Sequence, residues 1–174
     1  MPTDINGEDF KKFKGERKIL IETGSEKGGG IQSALNAGFE SIYSVEIDPK
    51  FNNECKERFK DNTNVNLYLG DSIQVLPEIL NSINSDFILW LDAHWSGSEY
   101  MGEQMHDFLP KELLLLRDYK EKLKNSVIMI DDMNFYRSNA SFCSHVENLL
   151  KEIKPSGIIE YYEALSGATI LVCK

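Results

Sequence analysis

The chain has 174 residues, 41% of them hydrophobic, with a formal net charge of −9 and a pI near 4.9. That length and apolar content suit one α/β domain over residues 1–174. The acidity argues against a DNA or RNA substrate, because an acidic surface repels phosphate backbones. No apolar stretch is long enough to cross a bilayer, so no membrane partner is expected. The start, Met1-Pro2-Thr3-Asp4, carries no basic region leading into an apolar run. Cys55, Cys143 and Cys173 are too far apart for a zinc or redox motif. Both features point to a reduced, cytoplasmic location.

In chain order, residues 1–17 read as a leading segment whose basic run, Lys11-Lys12-Phe13-Lys14, is solvated. Lys18–Glu22 reads as a buried strand, and Gly29–Ala37 as a helix stopped by Gly38. Ser41–Ile47 is the next strand, and Pro49 opens a helix to about Phe59. Val65–Leu69 is a strand, followed by a short helix over Ile73–Leu80 with Pro77 weakening its middle. Asp86–Leu91 is apolar on both faces, as a central parallel strand should be. A polar loop over residues 96–110 follows, then a helix Lys111–Leu123 and a strand Ser126–Ile130. Ala140–Lys154 is the last helix, and Ile158–Tyr162 with Ala168–Cys173 forms a closing hairpin.

Repeated βα units give a mostly parallel, doubly wound, Rossmann-like sheet of seven strands with helices on both faces, here ending in an antiparallel hairpin. Ligands of such sheets bind at the carboxyl ends of the strands. Glu22, Glu46, Asp71, Asp92 and Asp131 all stand at those ends. The interval from Gly24 to Glu46 is about that at which such folds place an acid on a ribose.

The loop runs Glu22-Thr23-Gly24-Ser25-Glu26-Lys27-Gly28-Gly29-Gly30. A dinucleotide loop packs its glycines early, so that a pyrophosphate can rest on the helix N-terminus. Here the close pair, Gly28 and Gly30, comes late, and acidic Glu26 sits inside the loop. Glu22 and Glu26 disfavour a phosphate and suit a cation. The cofactor is therefore expected to be a nucleoside without phosphates that carries a cationic end, which S-adenosylmethionine satisfies.

With these pieces the chain resembles the class I S-adenosylmethionine-dependent methyltransferases, most closely the metal-dependent O-methyltransferases of the catechol type. The matching segments are Ile21-Glu22-Thr23-Gly24, Val45-Glu46-Ile47-Asp48-Pro49, Gly70-Asp71-Ser72, Trp90-Leu91-Asp92-Ala93-His94-Trp95 and Ile130-Asp131-Asp132-Met133-Asn134. The resemblance implies that Glu22 and Gly24 lie beside the methionine portion, and that Gly28 and Gly30 let the backbone approach. It implies that Glu46, with Ile47 next to it, holds the ribose, and that Asp71 and Ser72 hold the adenine edge. Asp71 can equally be a helix N-cap. Asp92 and Trp95 complete the expected cofactor contacts.

Asp92, Asp131 and Asp132 are the expected ligands of Mg²⁺ or a similar cation, which takes oxygen donors. The alternative is that Asp131-Asp132 caps a turn. The catechol-type pattern has Asp-Asn where this chain has Asp131-Asp132, and its catalytic Lys position falls on Ser96. His94 is the expected replacement base, acting with Asp92, or else it lies against the adenine. Residues 96–110 read either as a lid over the substrate or as a loop packed on itself. The short leading segment leaves the acceptor pocket open or completed by a second subunit, which would make a homodimer. The leading expectation is metal-assisted O-methylation of a hydroxylated small molecule. The alternatives are a metal-independent methyltransferase of the same fold and a non-catalytic nucleoside-binding module.

Overall fold

A computed structural model of the chain describes residues 5–93 and 105–174. The chain begins with α1 (Gly7–Lys14), then β1 (Ile19–Thr23), α2 (Gly29–Ala37), β2 (Ser41–Glu46), α3 (Pro49–Arg58), β3 (Val65–Leu69), α4 (Ser72–Ser82) and β4 (Phe87–Leu91). It continues through α5 (Met105–Leu116), a 3₁₀ turn, α6 (Lys120–Leu123), β5 (Val127–Ile130), a second 3₁₀ turn (Met133–Phe135), α7 (Ala140–Ile153), β6 (Ile159–Glu163) and β7 (Thr169–Cys173). The strands form one seven-stranded sheet in the order β3-β2-β1-β4-β5-β7-β6. The first five are parallel, and β7 runs antiparallel to both β5 and β6. The expected doubly wound sheet with its terminal hairpin is the one observed.

Strand alternation sorts the core into two layers. Leu20, Ile42, Ile88, Trp90 and Met129 face the side packed by α1, α2 and α3. Ile21, Val45, Leu89, Leu91 and Ile130 face α4, α5 and α7. β4 is buried at all five positions, as its unbroken apolar run requires. Among the described residues no helix is long and apolar enough to cross a membrane.

Two expectations change. The leading segment is not merely solvated: residues 7–14 form α1, whose Phe10 and Phe13 are buried. Phe10 meets Trp90 edge-on at 5.7 Å and Phe39 at 5.8 Å. An Asn6/Asp9 capping box starts the helix. The Asp9 carboxylate also accepts the Tyr162 hydroxyl at 2.7 Å and the Leu165 N–H at 3.1 Å, which ties α1 to the hairpin.

The second change is in the segment 96–110. Residues 96–104 lie outside the described residues, but α5 begins at Met105 and runs through Pro110. A proline deep in a helix removes one hydrogen bond. Here Leu109, Leu113 and Leu116 recur at helical spacing, and all three are buried, which outweighs that loss. Pro77 inside α4 is tolerated for the same reason, with Leu76, Ile79 and Leu80 buried around it.

Candidate active site

The strand order reverses between β1 and β4, since β2 and β4 flank β1 on opposite sides. A crevice opens at the carboxyl end of such a switch point. Backbone pairing continues past the strand ends there. Gly24 N–H donates to Val45 O at 2.8 Å, Asp92 N–H to Thr23 O at 3.0 Å, and Asp131 N–H to Leu91 O at 3.1 Å. These bonds hold Glu22, Glu46, Asp92 and Asp131 along one edge.

The loop from β1 to α2 passes under close neighbours. Gly24 has φ +85, and a side chain there would come within 2.5 Å of the Asp92 carbonyl. Only glycine allows that approach. At Gly30 a Cβ would collide with Glu22 Oε1, so the missing side chain leaves the space that the carboxylate occupies, with Trp90 Nε1 at ordinary contact distance. Gly28 caps α2 and rests against the Phe59 ring. Glu26 adopts φ +42, a left-handed conformation costly for a side-chain-bearing residue. Neighbours pin it: Glu46 Oε2 accepts the Glu26 N–H at 2.8 Å, and the Cys55 thiol donates to Glu26 O at 3.3 Å. Arg58 Nη1 donates to Lys27 O at 2.6 Å.

Glu22 is buried beneath this loop. Its Oε2 accepts the Ser44 hydroxyl, and Ser44 Oγ lies 2.5 Å from Ser25 Oγ. Burial pushes the Glu22 carboxyl up to about 8; the Ser44 bond opposes this, and the Glu46 charge adds to it. Glu46 is also raised, chiefly by burial and against the backbone N–H groups of Asp48 and Glu26. Its Oε1 accepts the Asp48 N–H at 2.8 Å. Ile47 follows directly, half-buried.

Asp71 accepts the Ile73 N–H at 2.9 Å and caps α4, in line with the capping expectation. The hydroxyl of Ser72 is directed to a partner that the sequence did not suggest. It donates to Glu112 Oε1 of α5 at 2.6 Å, with both residues buried.

Toward β5 the acids repel one another. The Asp92 carboxyl is raised well above the usual carboxylate range, first by burial and then by the charges of Asp131, Asp132 and Glu22. The Trp90 indole N–H lies near enough to Asp92 to oppose this, yet meets no acceptor in ordinary hydrogen-bond geometry. Asp131 Oδ1 accepts the Asp132 N–H at 2.7 Å, and Asp132 adopts φ +58. Carboxylates are the right donors for Mg²⁺. Among the described residues, however, no group of three or more His, Cys, Asp or Glu is arranged to hold a metal ion. His94 and Trp95 lie outside the described residues.

The groups gathered at this edge suit a cation better than a phosphate. Its side chains are acids, its backbone approaches closely at Gly24 and Gly30, and a buried indole N–H stands beside them. The same acids oppose a pyrophosphate. Sequence reasoning missed Ser25, Ser44, Glu112 and the Trp90 N–H. It also missed Asn52, fully buried with neither side-chain polar atom hydrogen-bonded. The one available signal was that Ser44 and Glu46 stand two apart on one strand face. An open cavity of about 800 Å³ at the opposite edge is lined by Arg17, Lys18, Glu40 and Asp86 among others. Lys18 and Glu40 there already pair at 2.8 Å, and the glycine loop and its acids lie at the other end of the strands.

No protein-family model and no curated protein matches the chain. Solved structures do. The SAH-bound protein SMU.1697c of Streptococcus mutans is 15% identical with a TM-score of 0.66, and the alignment covers 95% of each chain. An O-methyltransferase of Bacillus cereus in complex with SAH is 16% identical with a TM-score of 0.64, over 99% of this chain and 81% of that one. The SAH-bound methyltransferase PaMTH1 of Podospora anserina is 17% identical with a TM-score of 0.63, over 97% and 77%. In its fold, the chain is similar over nearly its whole length to class I methyltransferases.

Proposed function

We propose that this protein is an S-adenosylmethionine-dependent methyltransferase acting on a hydroxylated small molecule. One observation carries the reading: two buried glutamates, Glu22 and Glu46, stand beneath and beside a glycine loop at the sheet's switch point. A carboxylate buried in low dielectric is stabilised by a cation. S-adenosylmethionine brings two positive groups, its ammonium and its sulfonium. The SAH in the neighbours of like fold supports the same ligand class.

When bound, S-adenosylmethionine would supply the methyl group for an acceptor oxygen, with SAH as the leaving product and the acceptor proton passing to the base. The protein contributes position and field. Glu22 sets the charge near the amino-acid end. Glu46, its oxygens already steadied by two N–H groups, has further lone pairs for ribose hydroxyls. Asp71 and Ser72 are proposed for the adenine edge, with Glu112 holding Ser72. Gly24, Gly28 and Gly30 allow close approach, with Ile47 and Trp95 as flanking contacts. Asp92 and His94 are proposed for the catalytic side, with His94 as the base. The free cysteines fit a reducing, cytoplasmic setting, and the acidic chain fits an acceptor other than nucleic acid.

Metal assistance is the finer part of this proposal. The mutual repulsion of Asp92, Asp131 and Asp132 supports it, because a divalent cation would relieve that repulsion. Among the described residues they form no group of three or more ligands arranged for a metal, which favours the metal-independent reading. Isothermal titration with S-adenosylmethionine and SAH, with and without EDTA, tests both. Binding of both ligands is expected. No heat from either ligand would refute the cofactor, and EDTA-insensitive turnover would refute the metal.

A further inference from the structure

We propose that Ser44, with Ser25, is a positioning residue for the amino-acid end of the cofactor: it orients the Glu22 carboxylate and anchors the glycine loop above it. The inference rests on the cofactor reading above and extends it to residues that no sequence motif marks.

Three observations carry it. First, sheet register places Ser44 of β2 directly opposite Glu22 of β1. Second, all three side chains are buried: Glu22 is 1% exposed, Ser44 0% and Ser25 3%. The Ser44 hydroxyl donates to Glu22 Oε2 and meets Ser25 Oγ at 2.5 Å, so one relay joins β1, β2 and the loop. Third, the other Glu22 oxygen lies in the space that Gly30 leaves open by having no side chain, so the carboxylate spans from β2 to the start of α2. β2 thus grips the loop at consecutive residues, Ser44 at Ser25 and Glu46 at Glu26. Glu46 faces the ribose side. Ser44 sits under Glu22, where the cofactor's ammonium belongs. Without the Ser44 hydroxyl, the buried Glu22 would lose that donor.

The test separates the two ends of the ligand. SAH carries the amino-acid tail, whereas 5′-methylthioadenosine has the same nucleoside without it. Both are titrated into the wild-type protein and into Ser44→Ala, with melting temperatures recorded alongside. Ser44→Ala is expected to bind SAH about tenfold more weakly and methylthioadenosine within twofold of wild type. Ser25→Ala, a change in the loop rather than in the sheet, is expected to show the same selectivity at smaller size. It keeps the test open if Ser44→Ala does not fold. Equal losses for both ligands, or no loss for either, would overturn the proposal while leaving the cofactor reading standing. A wild-type protein that binds neither ligand would sink the cofactor reading, and this inference with it.

Discussion

The two halves of the sheet's carboxyl edge treat their acids differently. On the β1–β2 half, Glu22 and Glu46 are held by Ser44 and by the N–H groups of Glu26 and Asp48. On the β4–β5 half, Asp92 is raised first by burial and then by the charges of Asp131, Asp132 and Glu22, with the Trp90 indole opposing them. Each half also carries one left-handed residue other than glycine, Glu26 at φ +42 and Asp132 at φ +58. The first half is organised before any ligand arrives. The second holds acids that repel one another.

This contrast can be broken by mutation. Glu46→Ala removes the acceptor of two backbone N–H groups and should cost about 2–4 kcal/mol in urea denaturation, with loss of SAH binding. A variant as stable as wild type would mean that the first half is not held as described. Gly30→Ala forces Glu22 aside and should cost about 1–3 kcal/mol. Its effect on SAH affinity should exceed what the drop in melting temperature implies.

Glu22 gives a pH signature. Its folded carboxyl is raised from 4.5 to about 8, so the folded state binds more protons across that window. Stability from this group is therefore full below about pH 4.5 and is lost as pH rises toward 8. The fall between pH 5 and 8 should be shallower in Glu22→Gln, as read from melting temperatures. Equal slopes would show that burial does not raise this group.

The smallest effect is expected on the other half. Asp132→Gly relieves left-handed strain and should raise stability by up to about 1 kcal/mol, while lowering turnover. A gain in both would show that the strain has no part in function.

The sequence was most legible where local chemistry decides structure. Gly38 ended α2 at the expected residue, and Val65–Leu69 appeared with its expected bounds. Glu22, Glu46 and Asp92 stood out because strand ends can be read from apolar runs. Ser44 did not, because its role depends on β1–β2 register, a relation between segments 22 residues apart. Glu112 is a similar case: it looks like one more helix acid until α5 packs against α4 and brings it to Ser72. α1 was hidden by its lysines. They sit on the outer side of a helix whose Phe10 and Phe13 turn inward, with Lys11 paired to Glu8 at 2.7 Å in solvent.

Asp9 joins residues made early to residues made late, since its partners Tyr162 and Leu165 lie 153 and 156 positions along the chain. On the ribosome Phe10 can settle on Phe39 and Trp90 as soon as those residues emerge. The Asp9 bonds can form only after translation has passed the hairpin, so they fasten a helix that already has a seat.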